Sequence, residues 1–229
     1  MDDSNDRTSL AERLNLKHMV LMVVLLGLIV CRPLLPSAIA DTIFLPTMIV
    51  SAWLAGGKTR RSLIVTVFAG IGALGLLAVD LVAHEELLLF MRAPAGFFIG
   101  VAVLALFIYC GGTILHSLVT AERVFINEIV GTFNVYLIMG YTWSFVYVLL
   151  ESLSPGSFQF AASTNGSLGV RMLYFSFVTL TTIGYGDTVP VSPLAQMLVI
   201  VEAIVGQFYV AIVVAYLVSM HIIHKLETK

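Results

Sequence analysis

Charged side chains are scarce in this chain of 229 residues, of which aspartate, glutamate, lysine and arginine together make up 11%. Soluble domains carry about 25% charged residues, so the scarcity excludes an ordinary soluble domain. The net charge is only −2 and no basic tract is present, which excludes a typical nucleic-acid-binding protein. Hydrophobic residues instead make up 59% of the chain, and the mean hydropathy is +0.99. This composition indicates an integral membrane protein.

Groups that catalyse reactions or bind cofactors are also lacking. The two cysteines, Cys31 and Cys110, lie in apolar runs, which argues against a disulfide framework and against a zinc site. The segment His84-Glu85-Glu86 lacks the second histidine of a zinc motif, because position 88 is Leu88, and is interpreted as a solvated loop. No paired acids or nucleophile–base arrangement occur at a recognisable spacing. The sequence therefore predicts neither an enzyme nor a resident cofactor.

Long apolar runs are what the chain has in quantity. A helix that crosses a membrane needs roughly 20 apolar residues. Six runs approach or exceed that length, and we predict a membrane-spanning helix for each of them after a polar tail at residues 1–17. The runs are residues 18–31, 43–55, 63–83, 95–118, 129–150 and 193–223.

The first run has an alternative interpretation as a cleaved secretory signal. Ala38-Ile39-Ala40 before Asp41 resembles a cleavage site. Against cleavage, the leading region is acidic as well as basic, and Pro33 and Pro36 interrupt the approach to the site. The topology of the following spans is the same in either case.

The basic residues predict the orientation of the chain. With six crossings and a cytoplasmic N-terminus, nine of the twelve lysines and arginines lie inside, in the direction of the positive-inside rule. They are Arg7, Arg13, Lys17, Lys58, Arg60, Arg61, Arg123, Lys225 and Lys229. We expect a multi-pass protein of the cell membrane with both termini in the cytoplasm. The loop before the last span then lies at the outer face.

The fourth run lacks the charges of a voltage sensor. Such a helix carries arginine or lysine at every third position. Residues 93–121 contain neither. Voltage gating by the usual movement of charged residues is therefore not expected.

Between the last two runs lies a polar stretch, residues 151–169, followed by a segment at 170–181 that is too short to cross a membrane. We interpret this segment as a re-entrant helix. Residues 179–187 come next and read Thr-Leu-Thr-Thr-Ile-Gly-Tyr-Gly-Asp. Non-helical backbone at bilayer depth is tolerated only where it is buried in protein or lines a watery cavity. The carbonyl oxygens of such a run can replace the hydration shell of a cation.

Residues 179–187 closely resemble the signature of potassium channels, Thr-x-x-Thr-x-Gly-Tyr-Gly-Asp. The resemblance covers roughly the last hundred residues well and the first four spans only in their architecture. It implies an all-α membrane protein with six transmembrane helices, assembled as a homotetramer because a carbonyl ring needs four strands and each chain offers one. It divides the chain into a tail at 1–17, a peripheral four-helix domain at 18–121 and a pore domain at 122–229. Within the pore domain lie the pore helix, 170–181, and the filter, 182–186.

The resemblance also implies an ion-binding site. Thr182, Ile183, Gly184 and Tyr185 would supply carbonyl rings for K⁺, with the Thr182 hydroxyl innermost, and Gly186 would present the outermost carbonyl. The glycines have a physical reason, since pointing successive carbonyls the same way requires backbone angles that a Cβ disfavours. The expected partners are K⁺, membrane lipid and further copies of this chain.

A second set of residues is expected to support the filter: Tyr174, Phe175, Val178, Thr181, Asp187 and Glu202. Tyr185 should pack outward against Tyr174 and Phe175, with Asp187 at the outer mouth. Some relatives carry a glutamate that pairs with this aspartate, but Val178 stands at the matching position. The pair is therefore absent.

Glu202 is unusual because a carboxylate inside a membrane helix costs about 2.5–3.5 kcal/mol. We expect it to hydrogen-bond the pore helix or the backing of the filter. The alternative is an acid in the outer leaflet, wetted from the pore mouth.

The last span carries a glycine at the position matching the inner-helix hinge of potassium channels. Gly206 is either this hinge or a packing notch. Gln207, Val210 and Val214 would face the central cavity, where the two valines form an apolar inner pore.

Two other transport functions stay open. A weakly selective cation channel could use the same scaffold, although the complete Thr-Ile-Gly-Tyr-Gly string disfavours it. A potassium-uptake transporter subunit is the second, but such proteins generally carry four degenerate pore loops in one chain. This chain has one intact loop and no internal repeat.

Overall fold

The computed structural model describes residues 19–34, 94–119, 126–162 and 166–227. The predicted tail and the second and third apolar runs lie outside the described residues. The predicted count of six spans therefore stays a prediction.

The described residues are mostly helical. The helices are α1 (Met19–Cys31), α2 (Pro94–Val119), α3 (Ile126–Leu153), α4 (Leu168–Leu180) and α5 (Pro193–Glu227), and a short 3-10 turn at Arg32–Leu34 follows α1. They match the first, fourth, fifth and last apolar runs and the predicted re-entrant segment. Within the described ranges, two segments, Val130–Leu153 and Pro193–Val213, are long and apolar enough to cross a membrane.

Helix α4 begins at Leu168, slightly before the predicted start at residue 170. The reason is a cap: Ser167 has an extended backbone, and its Oγ accepts a hydrogen bond from the Val170 N–H at 3.4 Å. Serine is a favoured N-cap because it satisfies an amide that has no partner inside the helix. Helix α4 ends at Leu180, and Thr181 is its C-cap.

A two-stranded antiparallel ribbon is an addition to the all-α architecture predicted from the sequence. Strand β1 (Phe158–Phe160) pairs with β2 (Thr188–Pro190), so that Phe158 lies opposite Pro190 and Phe160 opposite Thr188. With three residues each, the strands are too short for a sequence pattern to separate them from the surrounding loop. The ribbon joins the chain before α4 to the chain just beyond residues 182–186.

Two hydrophobic clusters hold the helices together. The first joins α1, α2, α3 and α4 through residues that include Leu25, Phe107, Ile138 and Leu173. The second joins α3, β1, α4 and α5 through Tyr147, Phe158, Met172, Phe175 and Ala195. Helix α4 belongs to both clusters. Its position is therefore fixed on both sides by close packing.

Candidate ion-conducting site

The backbone after α4 alternates in handedness. The φ angles are +58° at Thr182, +58° at Gly184 and +75° at Gly186, while Ile183 and Tyr185 have negative φ. Alternation of this kind directs successive N–H groups to one side, which leaves the carbonyl groups on the other. Gly184 and Gly186 adopt positive φ freely. A residue with a Cβ, such as Thr182, does so at a cost of roughly 1–2 kcal/mol.

The N–H groups at the start of this segment are bound by the last turn of α4. The Thr182 N–H donates to the Thr179 carbonyl at 3.0 Å. The Ile183 and Gly184 N–H groups both donate to the Val178 carbonyl, at 3.0 and 3.5 Å. The end of a helix leaves carbonyls without intrahelical partners, and here the following segment uses them. Helix α4 thereby fixes the position of the N–H groups at the start of this segment.

The carbonyl groups of the same segment are free. Within the part of the chain that the structure describes, no N–H or O–H donates to the carbonyl oxygens of residues 182–186, and all five residues are exposed. Native proteins rarely leave carbonyls unpaired unless water or an ion takes the place of a donor. Five consecutive free carbonyl oxygens form a surface suited to a dehydrated cation.

Tyr185 makes one of the two contacts expected from the sequence. Its ring stacks on that of Tyr174 with parallel planes and centroids 6.4 Å apart. Phe175 does not take part, because it lies on a different face of α4. There its ring contacts Tyr147 and Phe158, with centroids 5.5 Å from each. The expected cuff is therefore a tyrosine pair on one side of α4 and a buried aromatic cluster on another.

Asp187 lies beside this tyrosine pair. The Asp187 carboxylate is close enough to the Tyr174 phenol to interact with it electrostatically. The Asp187 carbonyl accepts a hydrogen bond from the Ala161 N–H at 2.8 Å, next to the ribbon. Val178, where some relatives carry a glutamate, is buried in the apolar interior. Asp187 is held by the tyrosine and by the ribbon instead.

The ribbon has two anchors that sequence reasoning missed. The Glu151 carboxylate, in the last turn of α3, accepts hydrogen bonds from the N–H groups of Gly156 at 2.8 Å and Phe158 at 3.0 Å. The Arg171 guanidinium in α4 lies 4.2 Å from the centroid of the Phe160 ring. Glu151 begins the polar stretch at residues 151–169, and Arg171 lies two residues beyond its end. No sequence signal identified either contact.

Glu202 is fully buried, with no exposed surface. Its Oε1 lies 2.5 Å from Ser176 Oγ in α4, and its Oε2 lies 2.5 Å from the Tyr147 hydroxyl in α3. Glu202 thus contacts α4 through Ser176, and its side chain has no surface exposed from the described residues. Sequence reasoning did not identify Ser176 or Tyr147 as the partners.

Gly206 lies against the end of α4. A Cβ built on it would be 2.7 Å from Leu180 Cδ2, closer than a normal contact. Helix α5 continues without a break through this position. Gln207 and Val210 are exposed, while the side chain of Val214 lies outside the described residues. The close approach is what a packing notch requires, and the hinge stays a prediction.

Clusters of metal-binding side chains do not occur in the described parts of the chain, where no group of three or more His, Cys, Asp and Glu residues comes together.

A family model described as ion channel matches residues 103–222 of the chain. The chain belongs to the ion-channel family. It is similar to an inward rectifier potassium channel of Paramagnetospirillum magnetotacticum, with 34% identity over 42% of this chain and 30% of that protein. It is also similar to two pore potassium channel c of Oryza sativa subsp. japonica, with 38% identity over 37% of this chain and 17% of that protein.

The chain thus spans less than a third of the length of each of these relatives. No solved structure matches it. The comparisons confirm the resemblance to potassium channels that the sequence of residues 179–187 indicated. Together with the two long apolar helices, they make the chain a membrane protein of a channel family, not of an enzyme family.

Proposed function

We propose that this ion channel conducts K⁺ selectively and passively across the cell membrane, through a filter formed by residues 182–186. The observation that carries the proposal is the set of five free carbonyl oxygens on a backbone of alternating handedness. A row of carbonyl oxygens can replace the hydration shell of K⁺. Thr182, Ile183, Gly184 and Tyr185 supply the inner rings, and Gly186 supplies the outermost.

The functional unit in this proposal is a homotetramer. One chain contributes one filter strand, and a closed carbonyl ring needs four. The burial of the helices supports this assembly. In an 18-residue stretch of Pro193–Val213 in α5 only 11% is buried, against 50% of a stretch of the same length in Val130–Leu153 of α3. An inner helix of a tetramer has this property, because the central cavity and the neighbouring chains contact the faces that a single chain leaves exposed.

The proposed channel does not sense voltage through charged residues of α2. This helix, which matches the fourth apolar run, contains no arginine or lysine. A helix without gating charges does no work when the membrane potential changes. Open probability should therefore be nearly independent of voltage in single-channel recordings.

Flux into liposomes tests the proposal. The purified protein is reconstituted, and K⁺ and Na⁺ fluxes are compared with those of protein-free liposomes. We expect K⁺ flux to be well above Na⁺ flux and to follow the K⁺ gradient. Equal fluxes would instead favour a weakly selective cation channel. Saturable, proton-linked uptake would favour a transporter and contradict the proposal. Chemical cross-linking in the same liposomes should stop at a tetramer.

A further inference from the structure

A chain of oxygen atoms lies behind the filter and connects three helices. Ser176 Oγ, in α4, lies 2.9 Å from the Gly140 carbonyl oxygen of α3 and 2.5 Å from Glu202 Oε1 of α5. The other carboxyl oxygen of Glu202 lies 2.5 Å from the Tyr147 hydroxyl. This series of oxygen atoms therefore contains three oxygen–oxygen contacts of hydrogen-bond length.

The number of protons on these groups limits which hydrogen bonds they can form. Each hydrogen bond between two oxygens requires one proton, so three contacts require three protons. A carbonyl carries none, and the hydroxyls of Ser176 and Tyr147 carry one each. If Ser176 donates to the Gly140 carbonyl, its Oγ can only accept from Glu202. The third proton must then lie on the Glu202 carboxyl group.

The surroundings of Glu202 favour the same result. Its side chain has no exposed surface, and among the described residues it has no ion pair with a lysine, arginine or histidine. The titratable groups that face it are both phenols of α3, Tyr147 and Tyr136; α4 contributes only the hydroxyl of Ser176. A buried carboxylate without a cation is costly, and a neutral acid avoids the cost.

We propose that Glu202 is a neutral carboxylic acid at pH 7 and acts as a positioning residue for the filter. It donates through Oε1 to Ser176, which donates to the Gly140 carbonyl, and it accepts through Oε2 from Tyr147. This arrangement leaves none of the five oxygens without a partner. It ties α5 to α3 and α4 one turn before the α4 carbonyls that hold the filter N–H groups.

Glu151 supplies a matched contrast within the same chain. Both of its carboxyl oxygens accept from backbone N–H groups, of Gly156 and Phe158. Here both oxygens act as acceptors, and the amide nitrogen of a glutamine could not replace either of them. The same substitution, glutamate to glutamine, should therefore be tolerated at position 202 and destabilising at position 151.

Infrared spectroscopy of the purified protein at pH 7 reads the protonation state directly. We expect the carbonyl stretch of a protonated carboxylic acid in the unmodified protein, and its loss in Glu202→Gln. Glu151→Gln should retain the band. If the unmodified protein and Glu202→Gln give the same spectrum in this region, Glu202 is ionised and the proposal is wrong.

Flux and thermal unfolding give a second, independent readout. A glutamine at 202 can donate through its amide to Ser176 and accept from Tyr147, so we expect K⁺ flux within about twofold of the unmodified channel. Glu202→Ala leaves two buried hydroxyls with a lost partner and should reduce flux about tenfold. Glu151→Gln should lower the unfolding temperature, because an amide N–H would face a backbone N–H. An unstable Glu202→Gln would overturn the proposal.

The positioning role rests on the proposed channel function, but the infrared band does not. A protein that shows the band and conducts no K⁺ would overturn the proposed function and leave the neutral carboxyl group in place. A protein that conducts K⁺ selectively without the band would overturn the neutral carboxyl group and leave the proposed function in place. The two failures are therefore distinguishable.

Discussion

The two sides of the chain around α4 differ in how their polar groups are satisfied. On the front, residues 182–186 present five carbonyl oxygens that accept no hydrogen bond within the described chain, and positive φ angles recur at every second residue. On the back, Glu202, Ser176 and Tyr147 are buried and bound to one another. The front is open and polar, and the back is closed and paired.

This difference shows how a free row of carbonyls can keep its shape. Unpaired backbone groups and left-handed residues are unfavourable unless their surroundings determine the conformation. Here the N–H groups of Thr182, Ile183 and Gly184 are bound by the end of α4. Helix α4 is in turn fixed by both hydrophobic clusters and by Glu202. Changes on the front should therefore affect ion flux, and changes on the back should affect stability first.

The largest effect is expected from Gly184→Ala on the front. No atom of the described residues lies within 4 Å of the new Cβ, so the expected cost arises from the φ of +58°. A Cβ in this region costs roughly 1–2 kcal/mol per chain, and alanine should leave the left-handed region and turn a carbonyl away. K⁺ flux into liposomes should fall to that of protein-free liposomes. Gly112→Ala is the control, because no described atom lies within 4 Å of a Cβ at this position in α2, and this variant should conduct normally.

Phe175→Ala should have the largest effect on the back. It removes one ring from the cluster with Tyr147 and Phe158. A buried phenylalanine replaced by alanine costs about 3–5 kcal/mol, which thermal unfolding in detergent would detect as a lower midpoint. Phe133→Ala is the matched control, since Phe133 is exposed on α3 and should change stability by about 0.5 kcal/mol or less. Equal effects of the two variants would contradict the assignment of Phe175 to the core.

Gly206→Ala tests the contact between α5 and the end of α4. The new Cβ would lie 2.7 Å from Leu180 Cδ2, and overpacking of this kind costs about 1–3 kcal/mol. Open probability in single-channel recordings should therefore change. Combining Gly206→Ala with Leu180→Val shortens the opposing side chain, and Leu180→Val alone is the control. Recovery of normal gating in the double variant identifies a packing notch, and a persistent change identifies a hinge.

The smallest effect is expected from Tyr174→Leu, beside the filter. The substitution removes the stacked ring on Tyr185 and the hydroxyl that contacts Asp187. An aromatic pair is worth about 0.5–1.5 kcal/mol, so a modest loss of K⁺ over Na⁺ preference is expected, with little change in assembly. The ratio of the two fluxes measures it. An unchanged ratio would show that the tyrosine pair does not support the front.

Apolar runs and short motifs predicted much of the described fold. The runs located α1, α2, α3 and α5, and the short polar-flanked segment located α4, because length and hydropathy are local properties that a bilayer selects directly. The φ angles of Gly184 and Gly186 were likewise predictable, since only glycine adopts them without cost. The β1–β2 ribbon was missed, because three-residue strands depend on pairing between distant segments.

The sequence by itself determined that this is a membrane protein and where the segment with the free carbonyl groups, residues 182–186, lies. Composition, run length and the glycine pattern are local properties that can be read along the sequence. Only the tertiary structure decided which side chains hold that segment. It placed Phe175 away from Tyr185, brought Glu202 to Ser176 and Tyr147, and set Gly206 against Leu180. These contacts join residues far apart in the chain, so they follow from how the helices pack and not from the pattern along any one of them.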